Sequence, residues 1–215
     1  MGRTVIEHWG RVDYARALER QLTLWQARVD GRVADTVVEV AHPPTVTLGR
    51  NAPQSDVIAP AEELARRGVT LVRSDRGGRA TAHGPGQIVV YPIVAISERA
   101  VGVRSWVCDL EQALVEVLAD LSIDAHQIEG KPGIWTDQGK IASLGLRVAR
   151  GVSYHGIALN VGLDTGPFDC IVACGVPGER ITSVTQEARE PVSRDDIATA
   201  LCEAIVTKIE AYDPT

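Results

Sequence analysis

The chain has 215 residues, a net charge of −6 and 45% apolar residues, which fits a soluble protein with a sizeable core and argues against nucleic acid as a partner. Its longest apolar run, Ile88–Ile96, falls far short of the about 20 residues that cross a bilayer, and the N-terminus has no apolar signal core. Four cysteines, none spaced C-x-x-C, make neither a disulfide framework nor a zinc knuckle, so the expectation is a cytoplasmic protein with reduced thiols, no metal and no membrane partner.

In chain order, residues 4–8 (TVIEH) predict a short strand. Asp13 then predicts the cap of a helix with Tyr14, Leu18, Leu22, Trp25 and Val29 along one face, stopping at Gly31. Thr36–Ala41 and Thr45–Leu48 read as strands parted by His42-Pro43-Pro44, because proline cannot continue a ladder. His42 reads there as a loop histidine. Pro60 opens a short helix, AEELARRG, with Gly68 as its C-cap, and Val69–Arg73 follows as a strand.

Ser74–Gln87 (SDRGGRATAHGPGQ) carries too much glycine and proline for regular structure, and Gln87–Val94 resumes as a strand. A glycine-rich loop between strands lets backbone N–H groups approach a ligand closely. It is not a Walker A loop, since no Gly-Lys-Ser/Thr follows. Nor is it a dinucleotide fingerprint, since a strand and not a helix comes next. Loops this long inside compact domains are usually functional, which favours a binding element over a plain surface hairpin.

Val103–Leu121 has the clearest helical period, with Val103, Val107, Leu110, Leu114, Val117 and Leu121 at spacings of three and four; Cys108 on it reads as a packing residue. His126 reads as a strand residue with no evident partner. Gly133–Thr136 predicts a strand, turned by Asp137-Gln138-Gly139 into two alternating segments, 140–149 and 152–161, with Arg150-Gly151 as the hairpin turn. A helix from Ser193 to Tyr212 closes the chain, capped by Ser193 with Asp196. Ile197, Leu201, Ile205 and Ile209 form its buried stripe, and Cys202 reads as core. No repeat or linker interrupts residues 1–215, which read as a single domain.

The stretch from Lys140 to Cys174 concentrates the chemistry. Lys140 is one of three lysines set against 19 arginines, and Cys174 meets Gly175 straight after an apolar run, as if a buried strand delivered a thiol to a turn. A lysine ammonium beside a cysteine favours the thiolate, which is the reactive species. Spacing alone leaves a second reading open, with Lys140 a solvated strand end and Cys174 a small core residue.

Three blocks together resemble the lipoyl(octanoyl) transferase family, the octanoyl-[acyl-carrier-protein]:protein N-octanoyltransferases. They are RGGRATAHGPGQ at 76–87, preceded by HPPTVTLGR at 42–50; KIASLGLR at 140–147, followed by HGIALN at 155–160; and FDCIVACG at 168–175, followed by ITSV at 181–184. The blocks lie in the family's order, and flanking similarity covers nearly the whole chain. The resemblance implies an α+β fold like that of biotin and lipoate ligases, with a larger mixed sheet and a smaller sheet flanked by helices. It implies transfer of an octanoyl group from octanoyl-acyl carrier protein to a specific lysine of lipoyl domains, without ATP or another cofactor. Those domains would belong to 2-oxoacid dehydrogenase complexes and to the glycine cleavage H protein. Cys174 would carry the acyl thioester, and Lys140 would favour its thiolate. Arg76, Gly77, Gly78, Arg79, Ala80, Thr81, Ala82, His83, Ser143, Leu144, Gly145, Gly156, Ile157 and Ala158 would line the acyl site, and the glycine-rich backbone N–H groups are candidates to hold the oxyanion.

Two residues depart from the family's pattern. Ala173 stands where proline usually precedes the cysteine, an expected loosening of that turn. Ala82 stands where an aromatic residue usually precedes the histidine, an expected widening of the acyl pocket. Three other readings remain: an ATP-dependent lipoate or biotin ligase on the same fold, a Cys–His transferase with His83 or His155 as base, and a non-catalytic acyl-binding protein. An acidic carrier meeting a chain of net −6 needs local positive charge, for which Arg73, Arg76, Arg79, Arg147 and Arg150 are the candidates, with Arg79 and Arg150 preferred because neither sits within an apolar run.

Overall fold

The computed structural model describes residues 3–162 and 166–212. Its strands are β1 (Val5–Arg11), β2 (Thr36–Ala41), β3 (Thr45–Leu48), β4 (Thr70–Arg73), β5 (Ala80–His83), β6 (Gln87–Ile93), β7 (His126–Ile128), β8 (Lys131–Thr136), β9 (Gly139–Ala149) and β10 (Val152–Asn160). Its helices are α1 (Tyr14–Val29), α2 (Ala61–Arg66), α3 (Val103–Asp120), α4 (Val184–Glu187) and α5 (Arg194–Glu210). The larger sheet runs β1-β2-β6-β10-β9-β8-β7 and the smaller one β4-β3-β5. Both are mixed: β1 with β2 and β3 with β4 are parallel, and the remaining pairs antiparallel. This is the α+β architecture expected, with a larger and a smaller sheet. The His42-Pro43-Pro44 break is where the chain leaves one sheet for the other.

Three apolar clusters follow from this layout. Leu110, Leu114 and Leu118 of α3 and Leu201, Ile205 and Ile209 of α5 cover one face of the larger sheet, against Ile88, Ile141, Ile157 and Leu159. Ala17 of α1 covers the other face, against Val38, Val89, Tyr91 and Ala158. Val46, Leu48, Leu64, Ala82, Phe168 and Ile171 form a separate core under the smaller sheet. The antiparallel hairpin β9–β10, with Arg150 in the left-handed region at its turn, is as the alternation predicts. So is α5, whose Ser193 hydroxyl accepts the Asp196 N–H.

Elsewhere tertiary contacts override local pattern. In α1 the expected stripe is rotated: Leu22 is exposed, and Tyr14, Ala17, Gln21, Ala27 and Arg28 are buried. Steps of four residues drift around a helix of 3.6 per turn, and the polar side chains that replace Leu22 inside have partners. Gln21 Oε1 accepts the His155 N–H at 3.0 Å, and Arg28 pairs with Asp35 at 2.7 Å and Glu98 at 2.5 Å. Cys108 is exposed, not packed, whereas Cys202 is buried as expected. The glycine-rich stretch is not wholly irregular, because β5 forms inside it by pairing with β3. The apolar run before Cys174 is not a strand but two short 3₁₀ turns, Gly166–Cys170 and Ala173–Gly175.

Candidate active site

β9 delivers Lys140 to a position that is only 2% exposed. Its Nζ donates to Cys174 Sγ at 2.9 Å and to the Pro132 carbonyl at 3.2 Å, and lies 4.4 Å from the centre of the Trp135 ring. Such a cation over an indole face is attracted by the ring's quadrupole. Gly133 makes room for the lysine stem: at φ +131°, a Cβ there would stand 2.7 Å from Lys140 Cε and 2.6 Å from the Ala142 carbonyl oxygen. The two readings of Lys140 and Cys174 left open by spacing are thus separated by geometry. Lys140 is a buried cation on a thiol, not a solvated strand end.

Cys174 itself sits in the left-handed region, φ 53° and ψ 15°, which costs a residue with a Cβ about 1 kcal/mol or more. Two sets of contacts hold it there. On the lysine side, Lys140 N–H donates to the Arg180 carbonyl at 2.7 Å and Thr182 N–H to the Lys140 carbonyl at 3.1 Å, while Asn160 Nδ2 donates to the Thr182 carbonyl at 3.0 Å. On the other side, Val172 N–H donates to the Asp56 carbonyl at 2.7 Å, and Arg79 grips the Asp56 carboxylate at 2.9 and 2.5 Å. Gly175, at φ 74°, lies against the Arg79 guanidinium, where a Cβ would collide with it.

The thiol opens on a cavity of about 180 Å³. Every residue the resemblance assigned to the acyl site lines it except Gly77 and Ala82. Period-two alternation places Ala82 wrongly for that role: Thr81 and His83 face the cavity, while Ala82 packs against Val46 in the small-sheet core. The expected widening of the pocket at Ala82 is therefore not found. Gly77 spends its N–H on the Leu146 carbonyl at 2.8 Å, which removes it as an oxyanion donor. Gly145 is needed for approach, since its Cβ would stand 2.9 Å from the Gly77 carbonyl oxygen.

Arg76 is 7% exposed and donates to the Thr47 carbonyl and hydroxyl and to the Gly77 and Arg79 carbonyls at 2.8 to 3.1 Å, so it fastens the glycine-rich loop. Burial pushes its guanidinium down from the ordinary value. Asp75 accepts from His155, Tyr154 and Arg147 at 2.6 to 2.8 Å, and the His155 hydrogen bond first among these holds its carboxyl well below the usual range. His83 binds Gln87 Oε1 at 2.8 Å through Nδ1, and burial pushes it down to about 3. His42 donates from Nδ1 to the Val12 carbonyl and accepts from Tyr91, which makes it a buried structural residue. Neither His83 nor His155 hydrogen-bonds Cys174 among the described residues, so the Cys–His reading has no geometry behind it. Cys170 is buried, and burial pushes its thiol up.

Sequence reasoning missed Tyr14, Val89, Tyr91, Lys131, Trp135, Val176 and Glu179, all on the cavity wall. Trp135 carried a weak signal, standing two residues after a glycine beside the Lys140 strand. Tyr14, Val89 and Tyr91 come from elements remote from the Lys140–Cys174 stretch, while Lys131, Val176 and Glu179 lie near the motif blocks in the chain without standing out in them. The docking arginines are also revised. Arg79 is committed to Asp56, and Arg150 lies ten residues along the strand from Lys140, roughly 33 Å away at the usual rise. No group of three or more metal-ligating side chains and no helix long and apolar enough to cross a membrane occurs among the described residues.

A buried lysine on a cysteine thus stands beside a mostly apolar cavity in an α+β domain of two mixed sheets. The chain belongs to the lipoyl protein ligase A/B catalytic domain family, whose pattern matches residues 13–206. It is 41% identical over 204 residues to the octanoyltransferase of Roseiflexus sp., covering 94% of this chain and 85% of that one. It is 38% identical over 216 residues to that of Chloroflexus aurantiacus, covering 99% and 96%. Among solved structures, a lipoate-protein ligase A bound with ATP superposes with a TM-score of 0.74 at 17% identity, covering 97% of this chain and 85% of that one. The biotin protein ligase of Aquifex aeolicus in complex with biotin and ATP gives 0.60 at 11%, covering 98% and 72%. At those identities the likeness is one of fold.

Proposed function

We propose that this chain is an octanoyltransferase of lipoate biosynthesis, acting as one cytoplasmic catalytic domain through an acyl thioester on Cys174. The donor is octanoyl-acyl carrier protein. The acceptor is a lysine of lipoyl domains, those of 2-oxoacid dehydrogenase complexes and of the glycine cleavage H protein. One observation carries this reading: Lys140 Nζ at 2.9 Å from Cys174 Sγ, over an apolar cavity, in a chain whose relatives are octanoyltransferases.

A protonated amine on sulfur stabilises the thiolate, which attacks the donor's thioester carbonyl. The pantetheine sulfur leaves and takes the proton from Lys140 Nζ. Thioester for thioester is a nearly balanced exchange, so no ATP is consumed. Lys140, now neutral, accepts a proton from the incoming lysine ammonium, and the amine attacks the Cys174 thioester. Val89, Leu144, Ile157 and Ala158 offer apolar wall to the acyl chain, worth about 0.8 kcal/mol per buried CH₂. Arg76 and the Arg79–Asp56 pair hold the glycine-rich wall and the cysteine turn in register.

The ligase reading draws only on fold neighbours, and it gives the cysteine no part. Intact mass after mixing with octanoyl-carrier protein separates the readings. The expected result is one octanoyl group on Cys174, formed without ATP and discharged by apo lipoyl domain. No adduct without ATP, or an adduct mapped to Cys170, refutes it.

A further inference from the structure

The proton count of the transfer leaves one proton unassigned. An acceptor ammonium becoming an amide nitrogen loses two protons, and Lys140, neutral after the first half-reaction, takes one of them. If Cys174 returns as the thiolate, the other proton goes to a second acceptor on its way to water. On the cavity wall, five residues after Cys174, stands Glu179, brought there by a turn in which its N–H donates to the Val176 carbonyl at 3.3 Å. Its Oε1 accepts from Trp135 Nε1 at 3.3 Å, and the Trp135 ring is the one that covers Lys140 Nζ. Its Oε2 is buried and has no partner among the described residues. A buried carboxylate oxygen left unpaired costs stability, so it calls for a donor, and at the wall of this cavity an incoming cation is one that would fit.

Glu179 also borders a second depression of about 710 Å³ on the far side of the cysteine turn, with Asp169 and Glu187 on its wall. A cationic side chain approaching there meets three carboxylates against the single cation Arg180, and Val176 and Glu179 line both this depression and the cavity that holds Cys174.

We propose that Glu179 receives the acceptor lysine's ammonium beside the Cys174 thioester and takes the second of its two protons. The assignment rests on the thioester reading above. Lys140 Nζ accepts the first proton, and the amine nitrogen bonds to the thioester carbonyl carbon. As the C–S bond breaks, the pair of electrons returns to Cys174 Sγ. The nitrogen's remaining surplus proton passes to Glu179 Oε2 and from there to water. The enzyme is thereby restored with Lys140 protonated and Cys174 a thiolate, so charge and protons balance.

The test uses the whole chain with Glu179→Gln, which keeps the Trp135 hydrogen bond, and Glu179→Asp, which keeps the charge. With Glu179→Gln, acyl-enzyme formation from octanoyl-carrier protein is expected within about twofold of the parent. Its discharge by apo lipoyl domain should be slower by at least about tenfold, in the range of general acid–base effects. Glu179→Asp should recover part of that loss, and discharge by hydroxylamine, a small neutral amine, should be equal in all three. Equal slowing of both half-reactions, or unchanged discharge by the lipoyl domain, overturns the proposal. If the parent forms no adduct, the thioester reading fails. Steady-state transfer from octanoyl-pantetheine then decides Glu179 by itself: a KM raised for the lipoyl domain alone supports it, and an unchanged one refutes it.

Discussion

The two halves of the site are built in opposite ways. The half from the larger sheet presents Lys140 on a long strand, paired on both sides, with its side chain enclosed by Gly133, Pro132 and Trp135. The half from the smaller sheet presents Cys174 on a short 3₁₀ turn in a left-handed conformation, held mainly by single contacts from Asp56, Arg79 and the 180–182 segment. A ladder of backbone hydrogen bonds fixes one functional group, and a few side chains fix the other. Lys140 is placed by regular structure, whereas Cys174 sits where local strain is balanced by neighbours. The glycines divide along the same line: Gly133 admits a buried lysine stem, and Gly175 admits a guanidinium.

The largest effect should come from breaking the pair. Cys174→Ala is expected to abolish the octanoyl adduct, and Lys140→Ala to slow transfer to apo lipoyl domain by about 10²- to 10⁴-fold, the usual span for a proton-transfer group. Single-turnover kinetics and peptide mapping check both, and an adduct persisting in Cys174→Ala would count against the assignment.

Three buried histidines should make the fold sensitive to acid: His83 on β5 of the smaller sheet, His155 on β10 of the larger one, and His42 between the two. His83 has a folded value of about 3 against about 6.5 when unfolded, and burial pushes His42 and His155 down too. The unfolded chain then binds protons that the folded one does not. The stability contributed by these neutral histidines is therefore present above about pH 6.5 and lost as pH falls, with His83 contributing roughly 1 kcal/mol per pH unit between about 6.5 and 3. Urea midpoints between pH 7.5 and 5 should show this slope, and His83→Gln should flatten it. An unchanged slope in that variant assigns the sensitivity to other groups.

Substitution of Gly133 tests the large-sheet half. Gly133→Ala must move the Ala142 carbonyl or the Lys140 stem, at about 1–3 kcal/mol of stability. Transfer should fall as well, with the adduct still on Cys174; thermal unfolding and adduct mapping together check this. Ala82→Trp should cost a similar amount, because Ala82 is fully buried in the small-sheet core. Its profile over eight- and ten-carbon donors should match the parent's, and a narrowed profile would place Ala82 on the acyl path after all. The smallest effect is expected from Ala173→Pro. Val172 already has the extended backbone that precedes proline, and a 3₁₀ residue has a compatible φ, so stability should rise by about 0.4–1 kcal/mol, read as a higher Tm.

Much of the fold was legible because it repeats a period. The hairpin from Lys140 through Arg150-Gly151 follows two-residue alternation, and α5 follows a 3.6-residue stripe from Ile197 to Ile209 behind a Ser193 cap. The site's motif blocks were legible as well, since glycines and one of only three lysines stand out in an arginine-rich chain. Less legible was anything a partner element decides. The inward side of α1 turns on whether Gln21 and Arg28 find buried partners, and those lie in β10 and around Asp35 and Glu98. β5 exists only because β3 accepts its backbone, and its register sends Ala82 one way and Thr81 the other.

The sequence by itself determined the two-sheet α+β framework, the strand that carries Lys140, and the resemblance that singled out Cys174. The strand depends on local periodicity, whereas the two-sheet framework and the cysteine were implied by the resemblance that the motif blocks carry. Only the tertiary structure decided that Lys140 is buried on the thiol, that Arg79 braces the cysteine turn, and that Glu179 Oε2 has no partner among the described residues. Such facts depend on distances between elements far apart in the chain, which burial and chain closure settle together and no short stretch encodes.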